Sequence, residues 1–125
     1  MNRKEPLYLA PETLYRLGNG TSPLMSRIRP GEIDLTEING IKIIISNGKG
    51  VSLYNKSGLD LSPLTGWVWE IGQNTKLPVG LKFIKDDSPE GHYSLCPSKN
   101  MPVNEFVGLL EKVAIHCKKV FKKKA

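Results

Sequence analysis

Residues 41–54 read IKIIISNGKGVSLY, and this stretch marks the chain as rich in strands. Ile41–Ile45 is an almost continuous β-branched run, which is typical of a buried strand. Val51–Tyr54 forms a second run after Asn47-Gly48. Because asparagine and glycine both tolerate a positive φ, the pattern predicts a hairpin that joins the two runs.

Shorter apolar runs on both sides of this stretch extend the strand-rich pattern. They predict further strands, which are Leu14–Leu17, Trp67–Ile71, Leu81–Ile84 and Tyr93–Cys96. Clusters of glycine, proline, serine and asparagine separate them, as expected for turns. Residues 18–34 show weak periodicity, which leaves a short helix and a loop both open.

The end of the chain has a different periodicity. From Pro102 to Phe121 the apolar residues recur every three or four positions, which predicts one amphipathic helix over 102–121. Pro102 suits a first helical turn, and Asn100 lies close enough to cap it. Several short strands followed by one helix predict an α+β fold. At 125 residues, the whole chain 1–125 is predicted to form one domain.

The charge is positive and uneven. The net charge is +6, and six lysines lie between residues 112 and 124. Such a patch attracts anionic partners, but lysines at a helix C-terminus also complement its dipole, so both interpretations stay open. The sequence shows no apolar stretch long enough to span a membrane and no secretory signal peptide. Two cysteines predict free thiols in a reducing cytosol, with no structural metal site.

Common catalytic motifs are absent from the sequence. It contains no P-loop, no dinucleotide-binding glycine motif, no zinc-protease motif and no serine-hydrolase elbow. The only histidines are His92 and His116. The common catalytic motifs therefore do not assign a reaction to this sequence.

A set of ordered short blocks resembles a known family. The blocks are Thr13–Arg16, Gly50–Gly58, Leu77-Pro78 with Leu81-Lys82, Gly91–Ser94, and Pro97–Lys99 with Met101. Their order and spacing are similar to the type VI secretion effector toxins of the Tse-two family. The resemblance implies an ADP-ribosyltransferase-like fold, in which two small antiparallel sheets flank a cleft for NAD and a C-terminal amphipathic helix follows.

The resemblance also implies which residues form the site. Arg16, Ser52 and His92 match catalytic positions, and Arg16, Tyr54, Asn55 and Tyr93 match positions that bind NAD. The residues alone leave other roles open. Arg16 also suits a solvated strand end, Ser52 a plain strand serine, the two tyrosines core packing, and His92 a cap on the turn before it.

The sequence departs from the family pattern at a hydroxyl position and at an acidic position. Val51-Ser52 has one hydroxyl where the family has two, and Asn55 stands where the family has an acidic residue. The acids that remain as candidates are Glu70, Glu90 and Glu105, and none lies in a recognisable motif.

The expected function is that of an NAD-dependent cytotoxic effector. The resemblance implies production in the cytoplasm, export without a signal peptide, action on a macromolecule in the cytosol of a target cell, and neutralisation by a cognate immunity protein. No metal and no membrane partner are expected. Two alternatives remain. One is a non-enzymatic interaction domain on the same fold. The other is a basic toxin that acts on RNA, which is supported by the net charge of +6, the C-terminal lysines and the aromatic residues Trp67, Trp69, Tyr54 and Tyr93.

Overall fold

A computed structural model describes residues 7–29 and 31–124. The strands are β1 (Leu14–Gly18), β2 (Leu35–Ile38), β3 (Ile41–Ile44), β4 (Val51–Tyr54), β5 (Gly66–Ile71), β6 (Leu81–Lys85), β7 (His92–Pro97), β8 (Met101–Pro102) and β9 (Lys118–Lys123). The helices are α1 (Lys56–Leu61) and α2 (Val103–Ala114). Neither described helix is long and apolar enough to cross a bilayer.

The strands form two antiparallel sheets. The larger has the order β6-β7-β4-β1-β5-β9, and the smaller has the order β2-β3-β8. The core includes buried side chains from both sheets and from α2, among them Leu14, Ile44, Leu95 and Phe106. Two antiparallel sheets with a helix near the C-terminus confirm the predicted α+β class.

The predicted hairpin across Asn47-Gly48 is wrong. β3 and β4 lie in different sheets, and β3 instead pairs with β2 across Asn39-Gly40. Both residues of that turn have positive φ, 52° at Asn39 and 79° at Gly40, which is the conformation that joins Ile38 directly to Ile41. The side-chain amide of Asn47 donates to Asp34 Oδ2 at 2.7 Å, so Asn47 fixes a loop contact and not a hairpin turn. Ile41 is also exposed, so β3 is only partly buried.

The predicted helix over 102–121 is too long. α2 ends at Ala114, and residues 118–123 form β9 on the edge of β5. Phe106, Leu110 and Val113 are the buried positions of α2, at the spacing that the sequence indicated. Asn100 does not cap this helix, because its Oδ1 accepts from the Ser46 amide at 2.8 Å. Residues 18–34 are mostly loop after the end of β1.

Candidate functional site

A polar cleft lies on one face of the larger sheet, beside the pairing of β4 and β7. In the register, Ser52 is opposite Ser94, and Tyr54 is opposite His92. Opposite residues of an antiparallel pair project from the same face, so these four side chains share it. The cleft has a volume of about 410 Å³ and is lined by Gly31, Glu32, Gly48, Lys49, Gly50, Ser52, Asp86, Ser88, His92 and Ser94. It therefore brings together two of the three predicted catalytic residues, Ser52 and His92.

The backbone of Ser52 is held by side chains instead of by a neighbouring strand. β1 pairs with β4 only at Tyr15 and Tyr54, so the two strands separate before Ser52. The Ser52 amide donates to Glu32 Oε2 at 3.2 Å, and the Ser52 carbonyl accepts from Arg16 Nη1 at 3.0 Å. A carboxylate and a guanidinium thus occupy the positions where a strand ladder would continue.

Glu32 is a carboxylate of the cleft that sequence reasoning missed. Its Oε1 accepts from the Arg29 amide at 2.7 Å, and its Oε2 accepts from Ser52. Two backbone donors therefore fix its orientation. It lies in the weakly periodic segment 18–34, and no motif marked it. The acids considered from sequence lie elsewhere: Glu70 on β5, Glu90 in the turn before β7, and Glu105 in the first turn of α2.

A second carboxylate, Asp86, is paired with His92. The distance from His92 Nδ1 to Asp86 Oδ1 is 2.6 Å, and Ser94 Oγ donates to Asp86 Oδ2 at 2.8 Å. Tyr54 packs against the imidazole with its ring centroid 5.3 Å away and the ring planes at 75°. The alternative that the imidazole caps the preceding turn is not what the structure shows, because the backbone amide of His92 makes that contact, to the Pro89 carbonyl at 3.0 Å.

The turn between β6 and β7 is built to bring Asp86 and His92 together. The Asp87 amide donates to the His92 carbonyl at 3.2 Å, and the Gly91 amide donates to Asp87 Oδ1 at 3.0 Å. Gly91 has a φ of 81° and packs directly on Asn55 and Gly58, where a side chain would clash. The residues Asp86-Asp87-Ser88-Pro89 are of the types that favour a turn, but their composition does not show that the first of them folds back onto His92.

Arg16 lies on the opposite face from the cleft and is 5% exposed. Its guanidinium donates to three backbone carbonyls, those of Ser52 (3.0 Å), Leu24 (2.9 Å) and Arg27 (3.0 Å), while its Nε has no hydrogen-bond partner among the described residues. Burial lowers the pKa of Arg16, and the negative charge of Glu32 opposes this shift. Arg16 is therefore not a solvated strand-end arginine. In this structure its two terminal nitrogens are occupied by protein.

Tyr93 and Asn55 meet on the carboxylate of Glu12. Tyr93 is 2% exposed, and its hydroxyl donates to Glu12 Oε2 at 2.6 Å. The Asn55 amide nitrogen donates to the same oxygen at 3.1 Å, while Asn55 Oδ1 caps α1 through the Gly58 amide at 2.8 Å. Burial, reinforced by Glu12, raises the pKa of Tyr93. These contacts join the N-terminal segment to β4, α1 and β7, and the role of both residues in binding NAD stays a prediction.

A larger groove of about 710 Å³ lies elsewhere, between residues 75–79 and residues 112–116 of the C-terminal part. Its lining is mainly apolar, with Lys76, Lys112 and His116 at its sides and no carboxylate. None of the predicted site residues lies in it. Because the cleft beside Ser52 combines carboxylates, hydroxyls and an imidazole, we assign the candidate site to the cleft, although it is smaller.

Comparison with known proteins places the chain in one family. The family profile described as Tse2 ADP-ribosyltransferase toxin matches residues 12–121. No curated protein and no solved structure matches the chain.

Proposed function

Because the chain belongs to the Tse2 ADP-ribosyltransferase toxin family, we propose that it is a toxin that uses NAD as its substrate in the cleft of Ser52. It acts in the cytosol of a target cell after delivery by a type VI secretion system. A cognate immunity protein holds it inactive in the cell that makes it. The observation that carries this proposal is the grouping of Ser52, Glu32, Asp86 and His92 around one polar cleft.

The cleft suits the nicotinamide riboside half of NAD. A volume of about 410 Å³ lies within the range of small-molecule sites. The pyridinium ring of NAD is cationic, and the carboxylates of Glu32 and Asp86 offer it opposite charge. Lys49, which lines the cleft between Gly48 and Gly50, offers the diphosphate a cation. In this structure the Lys49 ammonium lies 3.3 Å from Asp34 Oδ2. An exposed ion pair of this kind is weak, so Lys49 can leave Asp34 to bind a phosphate.

Glu32 has the properties of a transition-state stabiliser. As the bond from ribose C1′ to nicotinamide breaks, positive charge develops on the ribose, and a fixed carboxylate stabilises that charge without reorganising. The amides of Arg29 and Ser52 already hold Glu32 in place. We assign to the Ser52 hydroxyl the role of hydrogen-bonding the ribose or the carboxamide of nicotinamide.

The test is growth after induction in a bacterial cytosol, together with nicotinamide release from NAD by the purified protein. We expect arrest and release by the wild type, and a loss of both of about 100-fold in Ser52→Ala and Glu32→Gln. Ser57→Ala and Glu105→Gln are the matched controls, because they make the same chemical changes at exposed helical positions.

Two results would contradict the proposal in different ways. NAD binding without nicotinamide release would indicate a non-enzymatic interaction domain on this fold. Arrest that persists in both site variants at equal expression would indicate toxicity from another surface, with RNA as the first target to examine.

A further inference from the structure

The pairing of Asp86 with His92 leaves one imidazole nitrogen without an assigned role. A carboxylate only accepts hydrogen bonds, so in the neutral imidazole Nδ1 carries the hydrogen and donates it to Asp86 at 2.6 Å. Nε2 then has a free lone pair, and no described residue donates a hydrogen bond to it. Both partners line the cleft.

The carboxylate of Asp86 is itself held in place. Its Oδ2 accepts from Ser94 at 2.8 Å, and its Oδ1 also lies 3.3 Å from the Ser88 amide, which donates to it. His92 is only 8% exposed, and the edge-on ring of Tyr54 limits its rotation. A carboxylate that fixes the tautomer and orientation of a histidine beside a substrate cleft is the arrangement that makes an imidazole a general base.

We propose that His92, positioned by Asp86, is a general base that takes the proton from a hydroxyl acceptor as the acceptor attacks the ribose of NAD. This inference rests on the proposed function. The bond from C1′ to the nicotinamide nitrogen breaks, its electron pair stays on that nitrogen, and neutral nicotinamide leaves. The acceptor oxygen forms the new bond to C1′, and its proton passes to His92 Nε2. The imidazolium is stabilised by Asp86 and then releases the proton to solvent.

The chemical class of the acceptor follows from whether the acceptor carries a proton that an imidazole can remove during the attack. A carboxylate acceptor carries no proton at neutral pH and gains nothing from a base. An arginine side chain holds its proton too tightly for an imidazole to remove it. A hydroxyl group, on water or on an alcohol, remains protonated until its oxygen attacks, and base catalysis then contributes about 100-fold or more. The hydroxyls of Ser52 and Ser94 make the surroundings of His92 suitable for such a group.

The kinetic test measures nicotinamide release from NAD in water, and in water with methanol as a model alcohol. We expect His92→Gln to lower kcat by about 100-fold with little change in the KM for NAD, and Asp86→Asn to lower kcat by about 10-fold or more. Free ADP-ribose reports attack by water, and methyl ADP-riboside reports attack by the alcohol. Glu90→Gln is the matched control, because it makes the same carboxylate-to-amide change at an exposed position of the same turn.

A spectroscopic test needs neither a variant nor turnover. The chain has two histidines, so the imidazole nitrogens of His92 are readily assigned by ¹⁵N NMR. We expect a protonated Nδ1 and a bare Nε2 in the neutral ring, with Nε2 shifting when NAD is added. Asp86→Ala removes the oxygen that accepts from Nδ1 and should shift the hydrogen of the neutral ring toward Nε2, whereas Glu90→Ala, at an exposed position of the same turn, should leave the tautomer unchanged.

The outcomes separate this inference from the proposed function. A wild type that releases nicotinamide while His92→Gln keeps its kcat would overturn the general base and leave the NAD reaction standing. A hydrogen on Nε2 in place of Nδ1 would overturn the role of Asp86. No release by the wild type would overturn the proposed function, and with it the inference, even where the NMR shows the pair intact.

Discussion

Arg16 is a buried hydrogen-bond donor to the backbone, a structural role that its place in the sequence does not show. It donates to the carbonyls of Leu24 and Arg27 in the loop after β1 and of Ser52 in β4, and so it joins that loop to β4. Each buried carbonyl that loses its donor costs about 1–3 kcal/mol. Loss of toxicity in a variant of Arg16 would therefore not distinguish a binding residue from a structural one, whereas Ser52 and Glu32 lie at the cleft itself.

We expect Arg16→Met to lower the free energy of unfolding by about 3 kcal/mol, because it keeps the aliphatic part of the side chain but removes all three hydrogen bonds. Urea unfolding followed by the fluorescence of Trp67 and Trp69 measures this change. Arg27→Met is the control, since it removes the same charge from an exposed side chain of the same loop. Equal stability of the two variants would show that the contacts of Arg16 contribute little.

At the level of elements, the helical periodicity of the C-terminal part predicts the secondary structure correctly only as far as the end of α2. Cys117, Val120 and Phe121 continue the helical spacing of α2, but residues 118–123 pair with β5. Without β9, β5 would be an open edge with unpaired backbone groups, and strand pairing satisfies them. Lys119 reinforces the pairing: its ammonium lies 4.7 Å from the centre of the Trp67 ring and donates to the Gly20 carbonyl at 2.8 Å.

We expect Lys119→Ala to lower the free energy of unfolding by about 1 kcal/mol, because it removes a cation–π contact and a hydrogen bond at the edge of the sheet. Lys118→Ala makes the same substitution in the same strand, where the ammonium has no hydrogen bond to a described residue, and should change stability by less than about 0.5 kcal/mol. Chemical denaturation of the two variants side by side measures the difference. A larger loss in Lys118→Ala would contradict this account of β9.

For the molecule as a whole, burial of two thiols and one phenol makes stability depend on pH in the alkaline range, because these groups have higher pKa values in the folded state than in the unfolded chain. Burial raises the pKa of the free thiols Cys96 and Cys117 from 9.0 to about 12. Burial, reinforced by Glu12, also raises the pKa of Tyr93. Well below pH 9 the thiols are protonated in both states, and their titration does not affect stability. Above pH 9 the unfolded chain loses these protons first, so global stability falls as the pH rises.

We expect the free energy of unfolding to decrease by about 1 kcal/mol per thiol between pH 9 and pH 10. The measurement is a series of urea titrations from pH 7.5 to pH 10. The double variant Cys96→Ala with Cys117→Ala is the control, because it should remove most of the slope between pH 9 and pH 10. An equally steep slope in the double variant would assign the loss of stability to other groups.

The sequence by itself determined the α+β class, six of the strands, the buried face of α2 and the family, because these depend on local periodicity and on the order of short blocks. Only the tertiary structure decided that β3 and β4 separate into two sheets, that residues 118–123 form a strand, and that Glu32 and Asp86 join Ser52 and His92 at one cleft. Glu32 is 20 residues from Ser52 along the chain. No local pattern records a contact of that kind, because its free energy comes from backbone groups that become neighbours only when the sheets pack.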